Sequence, residues 1–225
     1  MGPGHGLRPF RDDTVGCDPC PKAASGALRT DYIDAMTQYA LFDTVIGWAG
    51  IAWNDKGLVG CHLPEADPEA SRRSFLRKFP EAVEAPPPAR LTGTVEAIRA
   101  LMRGEKADLT DAPLDIGRVP DFNAKVYEIA RAIPPGETLT YGEIAARLGD
   151  KLLARDVGAA LGQNPWPIVV PCHRVTAAGG KPGGFSARGG VNTKLKLLTI
   201  EGAAVVQAPP QKARPAASPQ PSLFD

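Results

Sequence analysis

Cysteine, histidine and aromatic residues are all scarce in this sequence, and each shortage removes a class of protein. Four cysteines in 225 residues (Cys17, Cys20, Cys61 and Cys172) are too few and too unevenly spaced for a disulfide framework. Cys17 and Cys20 have the spacing of half a zinc site or a redox pair. The only histidines, His5, His62 and His173, supply no second pair of matching spacing. No metal or other cofactor is therefore expected, with zinc at Cys17/Cys20 kept as the alternative. No apolar run approaches the roughly 18 residues of a membrane span, and the first residues lack the apolar core of a signal peptide. The expectation is a soluble protein of a reducing, cytoplasmic compartment, without membrane contact. Charge of one sign is missing too: 26 Lys and Arg against 25 Asp and Glu leave a net charge of +1. Bulk charge thus does not announce a polyanionic partner.

What is present is unevenly placed. The 24 glycines and 23 prolines cluster toward the ends. Residues 1–40 read as a disordered leader, and residues 203–225, rich in Ala, Pro and Gln, as a disordered tail. Residues 41–118 read as a small α/β scaffold. The pattern alternates from Phe42 to Trp53, Asn54 to Gly57 gives a polar turn, and Leu58 to Leu63 returns as the second strand of a hairpin. Glu65–Phe79 and Thr94–Arg103 carry apolar residues at helical spacing, on either side of a Pro-rich connector, Ala85–Ala89. Nothing in this half carries evident chemistry, and Cys61 reads as packing.

Residues 119–202 read as a second domain. Asp121 is placed to cap a helix running Phe122 to Ile133, which Pro134, Pro135 and Gly136 end. Thr140-Tyr141-Gly142-Glu143 has the form of a capping box opening a short helix that closes at Gly149. Another helix is expected from about Leu152 to Leu161. Two short helices joined by a glycine-containing turn, after a longer one, form a helix-turn-helix pattern. From Val157 to Ile200 every charge is positive: Arg174, Lys181, Arg188, Lys194 and Lys196. That one-signed run suits phosphate contacts, or else a solvated face whose acids come from elsewhere in the fold.

The centre of this half is Pro171-Cys172-His173-Arg174-Val175. The β-branched run Ile168-Val169-Val170 before it reads as a buried extended segment that Pro171 stops. A thiol on stiff backbone beside an imidazole and a guanidinium is positioned to ionise below the free thiol's pKa of about 8.5. A buried structural cysteine is the plainer alternative, and these residues alone leave both open.

The order Asn164-Pro165, Pro171–Val175, Gly183-Gly184-Phe185-Ser186, Gly189-Gly190 and Lys194 to Glu201-Gly202 closely resembles the O6-alkylguanine-DNA alkyltransferases. These are also called methylated-DNA–protein-cysteine methyltransferases. The likeness is dense from about Asp121 to Gly202 and thin, though compatible, from Leu41 to Val119. It implies an α/β (α+β) fold: an N-terminal α/β scaffold domain with an antiparallel sheet, then a C-terminal winged helix-turn-helix domain. It implies direct-reversal DNA repair, in which the protein flips O6-alkylguanine, with O4-alkylthymine a possible second substrate. The alkyl group passes irreversibly to Cys172, once per molecule. The partner would be double-stranded DNA carrying the lesion, met at the nucleoid (or in a nucleus), with no obligate protein partner.

By the same resemblance, His173 takes the thiol's proton through a water and Glu201 orients the imidazole. Tyr141 crowds the phosphate and lines the base pocket, and Lys194 sits near it to stabilise the departing guanine. Arg155 enters the base stack, while Asn164 ties the turn between the recognition helix and Cys172. The Val175 carbonyl reads the exocyclic amine, and the Ser186 region offers an amide to the leaving oxygen. Arg174 is expected only to pack. Two features depart from the family: Asp156 stands beside Arg155, and the loop from Phe185 to Gly190 is about two residues longer. The readings left to compete are a non-catalytic damage-flipping protein, a winged-helix regulator and a cysteine hydrolase.

Overall fold

The computed structural model describes residues 37–204. The Cys17/Cys20 pair, the tail beyond residue 204 and nearly all of the expected leader lie outside these residues. The last leader residues, Gln38 to Ala40, already belong to strand β1.

The expected hairpin is a three-stranded meander: β1 (Gln38–Thr44), β2 (Gly47–Trp53) and β3 (Leu58–Glu65), paired antiparallel in sequence. Phe42–Trp53, read as one strand, folds back at Val45-Ile46. Two β-branched residues give no turn signal in sequence. The turn is made by its neighbours instead: Thr44 Oγ1 donates to the Gly47 carbonyl at 2.6 Å, and Gly47 takes φ +133°. A short strand β4 (Val83–Glu84) joins β1 in parallel, so the sheet order is β3-β2-β1-β4.

Helix α1 (Pro68–Lys78) covers one face of this sheet. Asp67 caps it by accepting from the Ala70 N–H at 2.7 Å. Phe75 is fully buried there against Tyr39, Ala52 and Val59. The other face packs under helix α2 (Ala89–Met102), which starts five residues before the expected Thr94. Proline is tolerated at helix starts, so the Pro-rich connector runs into the helix rather than delaying it. Covered on both faces, β2 reads buried from Ala49 to Trp53, which erases the simple alternation expected of a half-exposed strand.

The second half holds α3 (Asp121–Arg131), β5 (Leu139–Thr140), α4 (Tyr141–Arg147), α5 (Ala154–Gly162), β6 (Val175–Thr176) and α6 (Gly190–Ile200). The α4 capping box is formed as expected: Thr140 Oγ1 accepts from the Glu143 N–H at 3.1 Å, and Glu143 accepts from the Thr140 N–H at 2.6 Å. Asp121, expected to cap α3, is instead its first residue, with Pro120 at the cap position and no side-chain cap bond. From there its carboxylate still faces the positive end of the helix dipole. The Tyr127 hydroxyl donates to the Ala160 carbonyl at 2.8 Å, which fixes α5 against α3. A single buried cluster takes side chains from both halves, including Ile51, Trp53, Leu101, Tyr127, Val157 and Trp166.

One contact between the halves positions everything that follows. The Cys61 N–H on β3 donates to the Pro165 carbonyl at 2.8 Å, and the buried Trp166 indole donates to the Leu58 carbonyl at 2.7 Å. Gly60, beside this contact, makes room for the Phe79 ring at the end of α1, which a β-carbon there would meet at 2.4 Å. The segment 164–171 is thus docked on β3.

Candidate active site

Ile168, Val169 and Val170 are buried as expected but not extended. They form a tight turn in which Pro167 bridges to Val170, and Ile168 sits at φ +77°. A β-branched residue in that region costs on the order of 1–3 kcal/mol and persists only where its surroundings over-determine it. Here they do. Asn164 Oδ1 accepts from the Trp166 N–H at 2.9 Å, and Asn164 Nδ2 donates to the Val170 carbonyl at 2.8 Å. Val170 N–H donates to the Trp166 carbonyl at 2.8 Å. Asn164 also immediately follows α5 and Gln163, so it couples the helix-turn-helix to the turn that carries the thiol. Cys172–Arg174 then form one turn of 3-10 helix.

Cys172 is half-buried and lines a cavity of about 530 Å³. Tyr141, Arg155, Gly158, Phe185 and Ser186 share that wall. Arg155 projects, exposed, from the first turn of α5, next to an exposed Asp156. Four residues singled out by sequence thus converge on one space: Cys172, Tyr141, Arg155 and Ser186. The Ser186 hydroxyl is turned to the Gly162 carbonyl at 3.2 Å.

Lys194 is fully buried in α6, with its Nζ 5.7 Å from the Tyr141 ring centroid. It donates to the Val175 carbonyl and to the Gly184 carbonyl at 3.4 Å. The carbonyl assigned to reading an exocyclic amine therefore already holds one donor, and its second lone pair is what a base could use. Burial lowers Lys194 to about 8, against the opposing influence of Cys172.

Behind the thiol lies a buried ionic network. His173 Nε2 meets Glu201 Oε1 at 3.0 Å, with both side chains 2% exposed or less. Arg174, expected only to pack, grips the same carboxylate with two bonds, Nε to Oε2 and Nη2 to Oε1, each 2.8 Å. Its Nη1 donates to the Ile133 carbonyl at 2.6 Å. Burial alone would raise the Glu201 carboxyl, but the hydrogen bonds from Arg174 and His173 hold it down at about 2. Sequence reasoning missed this role of Arg174. Adjacency to His173 was visible, but which way the guanidinium turns depends on where α6 ends, 27 residues later.

The protonation states also correct an expectation. Burial pushes the Cys172 thiol up, with an Asn164 hydrogen bond and the Lys194 charge pulling the other way. Burial pushes His173 down, with Glu201 opposing. At neutral pH the resting pair is thiol and neutral imidazole, not a standing thiolate. With Nε2–H donated to Glu201, the unprotonated ring nitrogen is Nδ1, which is buried and has no partner among the described residues. That nitrogen can take a proton, and the carboxylate behind it would stabilise the imidazolium so formed. No group of three or more His, Cys, Asp or Glu side chains able to hold a metal occurs among the described residues.

Residues 121–203 match the model for the 6-O-methylguanine DNA methyltransferase, DNA binding domain. The methylated-DNA–protein-cysteine methyltransferase of Mycobacterium tuberculosis is 37% identical over 166 residues, 74% of this chain and 93% of that one. A DNA base-flipping protein of Thermus thermophilus is 39% identical over 139 residues, 62% of this chain and 91% of that one. The crystal structure of M. tuberculosis OGT in complex with DNA superposes with a TM-score of 0.59 at 36% identity, covering 73% of this chain and 92% of that one. With likeness of this extent over both halves, and the thiol, imidazole and carboxylate gathered at one site, the chain belongs to the family of methylated-DNA–protein-cysteine methyltransferases.

Proposed function

We propose that this protein repairs duplex DNA by direct reversal, flipping O6-alkylguanine into the cavity beside Cys172 and taking the alkyl group onto that sulfur. The observation that carries this reading is the placement of Cys172. It lies on the wall of a cavity with room for a base, which Arg155 and Tyr141 also line, and its neighbours His173 and Arg174 form a buried network with Glu201. An alkyl group on a guanine edge is out of reach inside the duplex, so the nucleotide must leave the stack at a cost of a few kcal/mol. Arg155, exposed on the first turn of α5, is the residue to fill the gap.

In the transfer, the thiol proton passes to His173 Nδ1, through a water. The sulfur then forms a bond to the alkyl carbon as the carbon–O6 bond breaks and its electron pair goes to the guanine oxygen. The leaving guanine takes a proton from the Tyr141–Lys194 side of the pocket, with an amide of the Ser186 region offered to its oxygen. The product is a thioether, which no base here can cleave, so each molecule acts once. Residues 119–202 carry DNA binding and chemistry, with 41–118 as scaffold. The step needs neither a cofactor nor a protein partner, and it suits a reducing, DNA-containing compartment.

The test is intact-protein mass after incubation with duplex containing O6-methylguanine. A gain of one methyl on the peptide holding Cys172 is expected, with none for Cys172→Ala and no turnover beyond one equivalent. Lesion loss with an unmodified sulfur would overturn the reading. The 39% identity to a base-flipping protein favours one rival, recognition without transfer. That rival predicts bound lesion, unchanged mass and unchanged DNA.

A further inference from the structure

Cys172 lines two adjoining spaces. Besides the cavity on the α5 side, a second one of about 590 Å³ opens toward β3 and α1, and the two share Leu161, Cys172, Phe185 and Ser186. Its far wall belongs to the N-terminal layer: Leu63, Pro64 and Ala70 are apolar, and Lys78 with the His62–Glu65 pair is polar. His62 Nε2 meets Glu65 Oε1 at 3.1 Å, and Arg188, from the longer loop, reaches Glu65 Oε2 at 3.1 Å across the gap. The volume is that of a small-molecule site. The mechanism proposed above uses none of these residues.

We propose that this second cavity receives extended substituents on the guanine oxygen, so that the N-terminal layer sets which alkyl groups the protein accepts. The inference rests on the alkyl-transfer reading and follows from its geometry. In an in-line displacement the sulfur, the carbon and the leaving oxygen share one axis, and the carbon's other bonds point sideways. A methyl group has only hydrogens there. A longer chain must leave the axis sideways, beside the sulfur, while the guanine fills the first cavity, and the second cavity is the further space that adjoins Cys172 there. An apolar stem would lie along Leu63, Pro64 and Ala70, and a polar tip would reach Lys78 or the His62–Glu65 pair. Cys61 shares the cavity but does not compete as an acceptor, because burial pushes its thiol up to about 12.

The experiment compares alkylation rates on duplexes carrying O6-methylguanine and O6-(hydroxybutyl)guanine, for the unmodified chain and for Ala70→Leu, which fills the cavity from α1. Wild type is expected to accept both. Ala70→Leu is expected to keep the methyl rate within about twofold and lose about tenfold or more on the longer chain, the usual reach of a steric change in an apolar pocket. Ala66→Leu, at an exposed position on the same wall, repeats the test where folding is not at stake. An unchanged ratio of the two rates in both variants overturns the inference and leaves the transfer reading intact. Failure of wild type to accept even methyl overturns the transfer reading and the inference with it.

Discussion

Replacing Glu201 by Gln tests the buried network most directly. The carboxylate is 2% exposed and accepts three hydrogen bonds, one from His173 and two from Arg174, at 2.8–3.0 Å. Holding this carboxyl at about 2 rather than the usual 4.5 corresponds to about 3 kcal/mol of folding free energy at neutral pH. Because the folded pKa is depressed, that contribution is complete above 4.5 and is lost as pH falls toward 2. His173, also depressed, acts in the same direction: its contribution is present above 6.5 and fades as pH falls below it. Glu201→Gln keeps the shape but leaves Arg174 buried and uncompensated, a class of change that costs about 3–5 kcal/mol. At about 2–4 °C per kcal/mol for a chain of this size, melting at pH 7 is expected to fall by about 6–20 °C. Much of the wild-type loss of stability between pH 4.5 and 2 is expected to vanish in the variant, because the group responsible is gone. Alkylation is read in parallel. Without the carboxylate His173 becomes a weaker base, so the rate falls by about a hundredfold at pH 7 and the rise that follows ionisation of the Cys172 thiol moves to higher pH. A variant with the wild-type melting temperature and the wild-type pH–rate profile would refute both the energetic reading and the relay.

Two further changes separate recognition from architecture. Arg155→Ala is expected to leave stability within about 0.5 kcal/mol, as for exposed sites. It should slow duplex repair by about 30–100-fold, the equivalent of a few kcal/mol of flipping cost, and spare reaction with free O6-benzylguanine; equal losses on both substrates would contradict its assignment. Trp166→Phe keeps the buried ring but removes one of two donors to the Leu58 carbonyl, 108 residues away, which still accepts from the Asp115 N–H at 2.9 Å. A loss of about 0.5–1.5 kcal/mol in urea unfolding is expected, the net worth of one hydrogen bond, and an unchanged midpoint would mean that this bond contributes nothing to the dock of segment 164–171 on β3.

How much was legible in the sequence varied with the range of the interaction that decides each feature. The α4 capping box and the order of the short helices α4 and α5 were readable because each is fixed within a few residues. The turn at Val45-Ile46 and the left-handed Ile168 were not, since both are imposed against local propensity by bonds from Thr44, Gly47, Asn164 and Trp166. Arg174 was read as packing because its partner carboxylate arrives from the end of α6.

Which atoms could do chemistry was written in the order of residues 164 to 202, because side-chain identity and short spacing survive without a fold. The states of those atoms were decided only in three dimensions. Burial raises the Cys172 thiol, lowers His173 and Lys194, and lets Arg174 and His173 hold Glu201 ionised. Desolvation and ion pairing depend on what distant elements bring within a few ångströms, and no local pattern records that. The second cavity beside Cys172 has the same origin. One wall of it comes from residues 61–78, a stretch that reads as mere scaffold until the fold sets it against Cys172.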